Sequence, residues 1–206
     1  MKKSRVTTVF VSVVLVLALV ASLMVATYAL FSDQTRVNNH LQAGTLQIEL
    51  YRTNLTYTDY NAEGGKITVD EDVNLTTASE ATVFASANYF PGMVQTAELK
   101  IVNNGSLPFD YELSFTIDEE NAQSPLAELI FVKVTDADGK VVTAEKTTLA
   151  DMAKTPVDIG SMNGTAGESE TFTVEISFDE NANDSVQQAE IYFDILVTAT
   201  QANPNA

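Results

Sequence analysis

Apolar and polar residues alternate without a break between Phe109 and Ile117. Phe109, Tyr111, Leu113, Phe115 and Ile117 fall on one parity, and Asp110, Glu112, Ser114 and Thr116 on the other. A period of two puts the first set on one face of a pleated strand, which predicts a half-buried β-strand. The same pattern recurs in Phe172, Val174, Ile176 and Phe178, and again in Ile191, Phe193, Ile195, Val197 and Ala199. Weaker versions at 45–51, 66–75, 82–89, 96–102, 129–135 and 141–144 bring the expected total to about nine strands.

Turn chemistry separates these runs. Pro91-Gly92, Asn103-Asn104-Gly105-Ser106 and Asp138-Gly139 each mark a reversal, the last joining two strands as a tight hairpin. One short helix is expected at 147–152, with a Thr cap at its start and Pro156 beyond its end. Segments 53–65 and 154–170, rich in Asn, Gly, Thr and Ser, read as loops, and no internal repeat or second domain is visible. Short strands with apolar faces and long connections predict an all-β, antiparallel β-sandwich of jelly-roll-like type. A sandwich has open edges, and which of them is available to a partner strand is not written in the pattern.

The N-terminus breaks the period of two. Lys2, Lys3 and Arg5 precede an uncharged run from Val6 to Ser32. Cations stay on the cytoplasmic side while the apolar stretch enters the bilayer, so a cleavable N-terminal signal helix is expected. Small residues at Thr27 and Ala29 suit the −3 and −1 positions of a signal peptidase site, which places the cut between Ala29 and Leu30. At ~1.5 Å per residue the run is also long enough to span a membrane, so a retained anchor is the competing expectation.

Charge changes the picture once that segment is gone. The remaining 177 residues keep eight of the eleven basic residues and all 28 acidic ones, a net −20. Such a surface repels nucleic acid and anionic lipid, so contact with a membrane is expected only through the signal segment. Cysteine is absent, and stability must come from an apolar core or from neighbouring copies rather than disulfides.

Candidate chemistry is sparse. His40 is the one histidine, so no His-Glu-x-x-His zinc site exists, and no metal site, cofactor or catalytic residue is assigned. A Ser-His-Asp triad would have to recruit His40 from the N-terminal segment, where no rigid framework holds it. Asp136-Ala137-Asp138-Gly139 and the run 179–184 place oxygen ligands close together, but neither completes a calcium loop. Asn-x-Ser/Thr sequons begin at Asn54, Asn74, Asn104, Asn163 and Asn183 and matter only where exported proteins are glycosylated.

Taken in order, Thr27-Tyr28-Ala29-Leu30-Phe31-Ser32-Asp33, Ala43-Gly44-Thr45-Leu46, Pro91-Gly92 and Val102-Asn103-Asn104-Gly105-Ser106-Leu107 resemble the TasA/camelysin family of exported biofilm-matrix fibre proteins. The resemblance implies a signal peptidase of the SipW type cutting before Leu30. It also implies a jelly-roll-like subunit that polymerises by donating its N-terminal segment to the next subunit. The family-motif residues here are Gly44, Thr45, Leu46, Pro91, Gly92, Asn103, Asn104, Gly105 and Ser106.

Residues 30–43 suit a donor strand. Phe31, Val37, Leu41 and Ala43 share one parity, although Asp33, Thr35 and Asn39 share it too; Ser32, Gln34, Arg36, Asn38 and His40 face the other way. The alternative is a linker, or a strand of its own subunit. The expected organisation is therefore a signal peptide at 1–29, a donor segment at 30–43, a sandwich at 44–202 and a tail at 203–206. The expected partners are further copies of the chain, a signal peptidase and possible minor fibre or anchoring proteins, in the extracellular matrix or at the cell surface. A surface adhesin and a camelysin-type metallopeptidase are the competing functions.

Overall fold

A computed structural model describes residues 44–59, 65–78, 82–85, 89–121, 123–186 and 188–202. The chain divides into two units, Met1–Gln42 and Ala43–Ala206, and all described residues belong to the second. Eight strands occur among them: β1 (Ile48–Thr58), β2 (Lys66–Asn74), β3 (Val94–Asn103), β4 (Phe109–Ile117), β5 (Ile130–Thr135), β6 (Val157–Met162), β7 (Ser169–Phe178) and β8 (Phe193–Gln201). They form a five-stranded sheet in the order β2-β1-β3-β7-β5 and a three-stranded sheet in the order β6-β4-β8. Every pairing is antiparallel. From β3 to β8 each successive strand changes sheet, so long connections wrap the sandwich rather than closing local hairpins.

The alternation in the sequence becomes the core. Phe109, Tyr111, Leu113 and Phe115 of β4 are buried, with Asp110 and Glu112 exposed between them. They face Phe172, Val174, Ile176 and Phe178 of β7 and Ala97, Leu99 and Ile101 of β3. The Tyr111 and Phe172 rings meet across the two sheets at 6.3 Å. Each such large side chain withdrawn from water contributes roughly 1.5–3 kcal/mol.

Several expectations are corrected. The loop expected at 53–65 is strand up to Thr58, because a register shift between Arg52 and Asn54 resets the parity and turns Leu55 and Tyr57 inward. An unbroken period of two could not reveal a strand whose period is broken by a bulge. The second expected loop, 154–170, contains β6, whose pairing with β4 also slips, between Tyr111 and Glu112. At 82–85 there is no strand; Phe84 enters the core, and the Gln95 side chain satisfies both backbone groups of Ala85 at 2.9 and 3.1 Å. At 141–144 a single bridge, Thr135 to Val141, replaces a strand.

Helix is slightly richer than expected. Two short α-helices occur among the described residues, α1 (Leu126–Leu129) and α2 (Leu149–Met152), with 3-10 turns at Glu119–Asn121 and Asp184–Val186. Only α2 carries a signature: Thr148 caps it, accepting from the Asp151 N–H while Asp151 accepts from the Thr148 N–H. α1 has no side-chain cap and is a single turn, which leaves no pattern to read.

Candidate functional site

The motif elements at the start of β1 and the end of β3 meet in one knot. The Thr45 N–H donates to Ser106 Oγ (3.1 Å), and the Ser106 N–H returns a bond to the Thr45 carbonyl (2.8 Å). The Asn104 N–H donates to the Gln47 carbonyl at 2.9 Å. Asn103 is fully buried yet satisfied: its Oδ1 accepts from the Gly105 N–H (2.8 Å), and its Nδ2 donates to the Asn163 carbonyl (2.9 Å). Gly105 admits no side chain, since a Cβ there would lie 2.2 Å from the Thr45 carbonyl oxygen. Gly44 is packed as closely against the Leu107 side chain. The knot thereby fixes residues 44–47 against the turn that follows β3.

Pro91-Gly92 is not part of this knot. It precedes β3 at the opposite end, about 30 Å along a ten-residue strand. Gly92 adopts a positive φ of 82°, and its N–H donates to the Phe178 carbonyl, tying the start of β3 to the end of β7. Leu46 is exposed rather than buried.

The second feature is the three-stranded sheet, which among the described residues is narrower than the five-stranded sheet it faces. β4 lies over β7 through Tyr111 and Phe172, and β6 begins beside Val142–Ala144 and α2 at the β5 margin. Following β6, β4 and β8 across one layer therefore tracks β5, β7 and β3 across the other. Opposite β1 and β2, no strand stands among the described residues. Residues 82–85 cover part of this margin, with the buried Phe84 ring 6.4 Å from Phe193 and the Thr82 carbonyl on Arg52, and the rest is apolar. The inward row of β8 (Phe193, Ile195, Val197 and Ala199) is only half-buried, as are Ile48, Leu50, Tyr57 and Val69 of β1 and β2.

The free edges differ in character. β2 carries Lys66, Asp70, Glu71 and Asp72, charges that discourage a further strand, and β6 has only six residues. The free edge of β5 is partly covered through Val132 N–H to Thr147 and the Val141 bridge. β8 is nine residues long with one charge, Asp194, and exposes Leu196 outward at 53%.

Arg52 stands in the inward row of β1. It pairs with the fully buried Leu99 of β3 and with Val73 of β2, and directly opposite residues share a face. Its Nη1 donates to the Thr82 carbonyl, while its buried Nε has no partner among the described residues. No carboxylate among them forms an ion pair with it. The sequence signal was present: a cation on the parity of Ile48 and Leu50.

Titratable groups elsewhere serve the fold. The buried Tyr111 hydroxyl donates to Glu170 Oε2 at 2.6 Å. Burial, reinforced by the Glu170 hydrogen bond and charge, pushes its phenol well above the ordinary range. Burial does the same to Tyr89, against the opposing hydrogen bond from Gln95 Nε2 at 2.8 Å. Asp136 holds the Asp138-Gly139 turn, accepting from the Asp138 and Lys140 N–H groups at 3.1 and 2.8 Å. Asp179 likewise accepts from the backbone and side chain of Asn181. Among the described residues no three His, Cys, Asp or Glu side chains come together as a metal site, and no helix is long and apolar enough to cross a membrane.

The family model described as camelysin metallo-endopeptidase matches residues 1–206. The chain belongs to the camelysin (TasA) family. A comparison with curated proteins finds no match. The family description implies a catalytic metal, and the described part of this camelysin-family chain does not fit one: its carboxylates are dispersed over turns and outer faces, and neither histidine nor cysteine accompanies them. The expected cleavage residues Ala29 and Leu30, the expected donor residues Phe31, Val37, Leu41 and Ala43, and His40 lie outside the described residues. Family membership points to an extracellular or surface-associated protein.

Proposed function

We propose that this camelysin-family protein is an exported structural subunit, not a peptidase, and that copies polymerise into extracellular fibres by donor-strand complementation. In this reading residues 1–29 are a signal peptide, 30–43 the donor strand, 44–202 the sandwich and 203–206 a tail. The donor of one copy lies along the free edge of β8 in the next and completes the three-stranded sheet. The observation that carries the reading is the half-buried inward row Phe193, Ile195, Val197 and Ala199 at an edge with no strand partner among the described residues. Covering such a row removes apolar area from water, while the edge supplies main-chain bonds.

Two further observations support it. Phe31, Val37, Leu41 and Ala43 share the face that would meet that gap, together with the polar Asp33, Thr35 and Asn39. The clamp at Gly44 anchors the donor, and 14 extended residues reach about 46–50 Å, enough to leave the parent domain. Cleavage before Leu30 then acts as a switch, since a donor still joined to its signal helix is held at the membrane.

The test is negative-stain electron microscopy of the secreted protein, with N-terminal sequencing, beside a chain lacking residues 30–43. Fibres that begin at Leu30 and vanish on truncation are expected. Monodisperse particles in both samples would favour a surface adhesin. Zinc bound near one per chain, with chelator-sensitive proteolysis, would favour the peptidase that the family description names.

A further inference from the structure

Resting on the donor-strand reading, we infer that Arg52 is a specificity-determining residue of the acceptor groove and binds the Asp33 carboxylate of the incoming strand. Arg52 projects from β1 into the space between the sheets, on the margin that no strand of the three-stranded sheet faces among the described residues. Sheets pack ~10 Å apart, and the arginine stem spans much of that distance. An inward cation with a buried, unpartnered Nε is costly unless an anion completes it. Among the described residues no carboxylate does so; Glu71, on the same parity of β2, is exposed and forms no ion pair with Arg52.

The donor segment poses the opposite problem. Asp33 shares the parity of Phe31 and Val37, so a strand that buries those two side chains carries a carboxylate inward. Neither charge is tolerable alone in the groove, and together they form a charge-assisted pair that an arginine fork can make bidentate. Such a pair fixes register. A slip by two residues keeps the apolar parity but moves Asp33 away from Arg52, whereas apolar contacts alone would discriminate weakly between the two alignments.

The experiment uses the full mature chain beginning at Leu30 and exchanges charges between copies. Asp33→Lys alone and Arg52→Glu alone should each slow fibre elongation about tenfold or more. An equimolar mixture should recover most of the wild-type rate, because each junction between unlike copies restores an opposite pair. The lysine donor of the first variant meets the glutamate acceptor of the second, and the unchanged Asp33 of the second meets the unchanged Arg52 of the first. Recovery is not expected from a merely structural role for either residue. Failure of the mixture to recover overturns the inference, as do single variants that elongate normally. If fibres grow at wild-type rate without residues 30–43, the donor reading itself falls; if they need 30–43 but ignore both charge changes, only the Arg52 assignment falls.

Should Arg52→Glu not fold, by circular dichroism, Asp33→Asn is compared in Arg52 and Arg52→Gln backgrounds. Slowing in the first and none in the second is expected, and equal slowing in both overturns the pair. Glu80, two residues before the Thr82 carbonyl that Arg52 holds, lies outside the described residues. Glu80→Gln should leave elongation unchanged. If Glu80→Gln slows it as Asp33→Asn does, Arg52 serves its own subunit and the inference fails.

Discussion

Replacing Gly105 by alanine tests the knot between residues 44–47 and the turn after β3. The added Cβ would sit 2.2 Å from the Thr45 oxygen, 2.8 Å from the Gln47 nitrogen and 3.0 Å from the Thr45 carbonyl carbon. All three atoms are backbone, so no rotamer change relieves the clash; the Thr45–Gln47 segment must separate from the 104–106 turn. The bonds at risk are Asn104 N–H to Gln47 and Ser106 N–H to Thr45, at 2.9 and 2.8 Å. Each is worth about 1 kcal/mol net. Overpacking adds roughly 1–3 kcal/mol, giving a total of about 4 kcal/mol. With a urea dependence of about 2 kcal/mol per molar, the unfolding midpoint should fall by roughly 2 M. Gly139→Ala is the control: its φ is +79° and a Cβ there meets nothing within 4 Å, so only left-handed backbone strain applies, about 1 kcal/mol. Hydrogen exchange should also show the Asn104 and Ser106 amides losing protection in Gly105→Ala. Equal midpoints for the two variants, with those amides still protected, would refute the close-approach argument.

Alkaline solution should destabilise the fold. The Tyr111 and Tyr89 phenols are raised by burial, so above about pH 10 the unfolded chain loses protons that the folded chain keeps, and stability falls as pH rises; urea midpoints at pH 9 and 11 check this, and Tyr111→Phe should flatten the fall while costing about 1–3 kcal/mol at neutral pH through its lost bond to Glu170. Thr148→Ala removes the α2 cap and should cost about 1 kcal/mol by thermal melting. The Asp151 carboxyl is held below its ordinary range by its Thr148 bonds, so the contribution of this cap should be present above the unfolded carboxylate pKa and fade as pH falls through the lowered folded value. Fibre growth should quicken with salt, divalent cations or lower pH, because subunits of net −20 repel one another; a flat light-scattering response across a salt series would contradict this.

The fold class was legible wherever one face of a strand is buried and its partner face wet. β4 spans the residues that its alternation outlined, and β7 and β8 differ only at their ends. What escaped was structure held by long-range contacts. The bulge beside Arg52 hid half of β1, and β6 is short, with Gly160 packed near the Tyr111 hydroxyl rather than carrying an alternating apolar row. A strand is expected at 82–89, yet at its described start the Ala85 backbone is satisfied by Gln95, a residue no local pattern connects to it. The motif residues around Gly44 and Gly105 were legible as words, but that they form one clamp required β1 and β3 to be seen side by side. The inward cation Arg52 and the sparsely charged edge of β8 were written in the sequence as well, and acquired meaning only once the strand order showed which margin of the sandwich has no facing strand among the described residues.

The central claim is that β8 is completed by another copy of the chain. Helical reconstruction of the fibres by cryo-electron microscopy tests it most directly. The account predicts a strand beside β8 that is traceable to residues 30–43 of the adjacent subunit, with Phe31 and Val37 turned inward over β1. A strand traced to the same subunit, or fibres whose subunits touch through other faces while the β8 edge stays open, would contradict it.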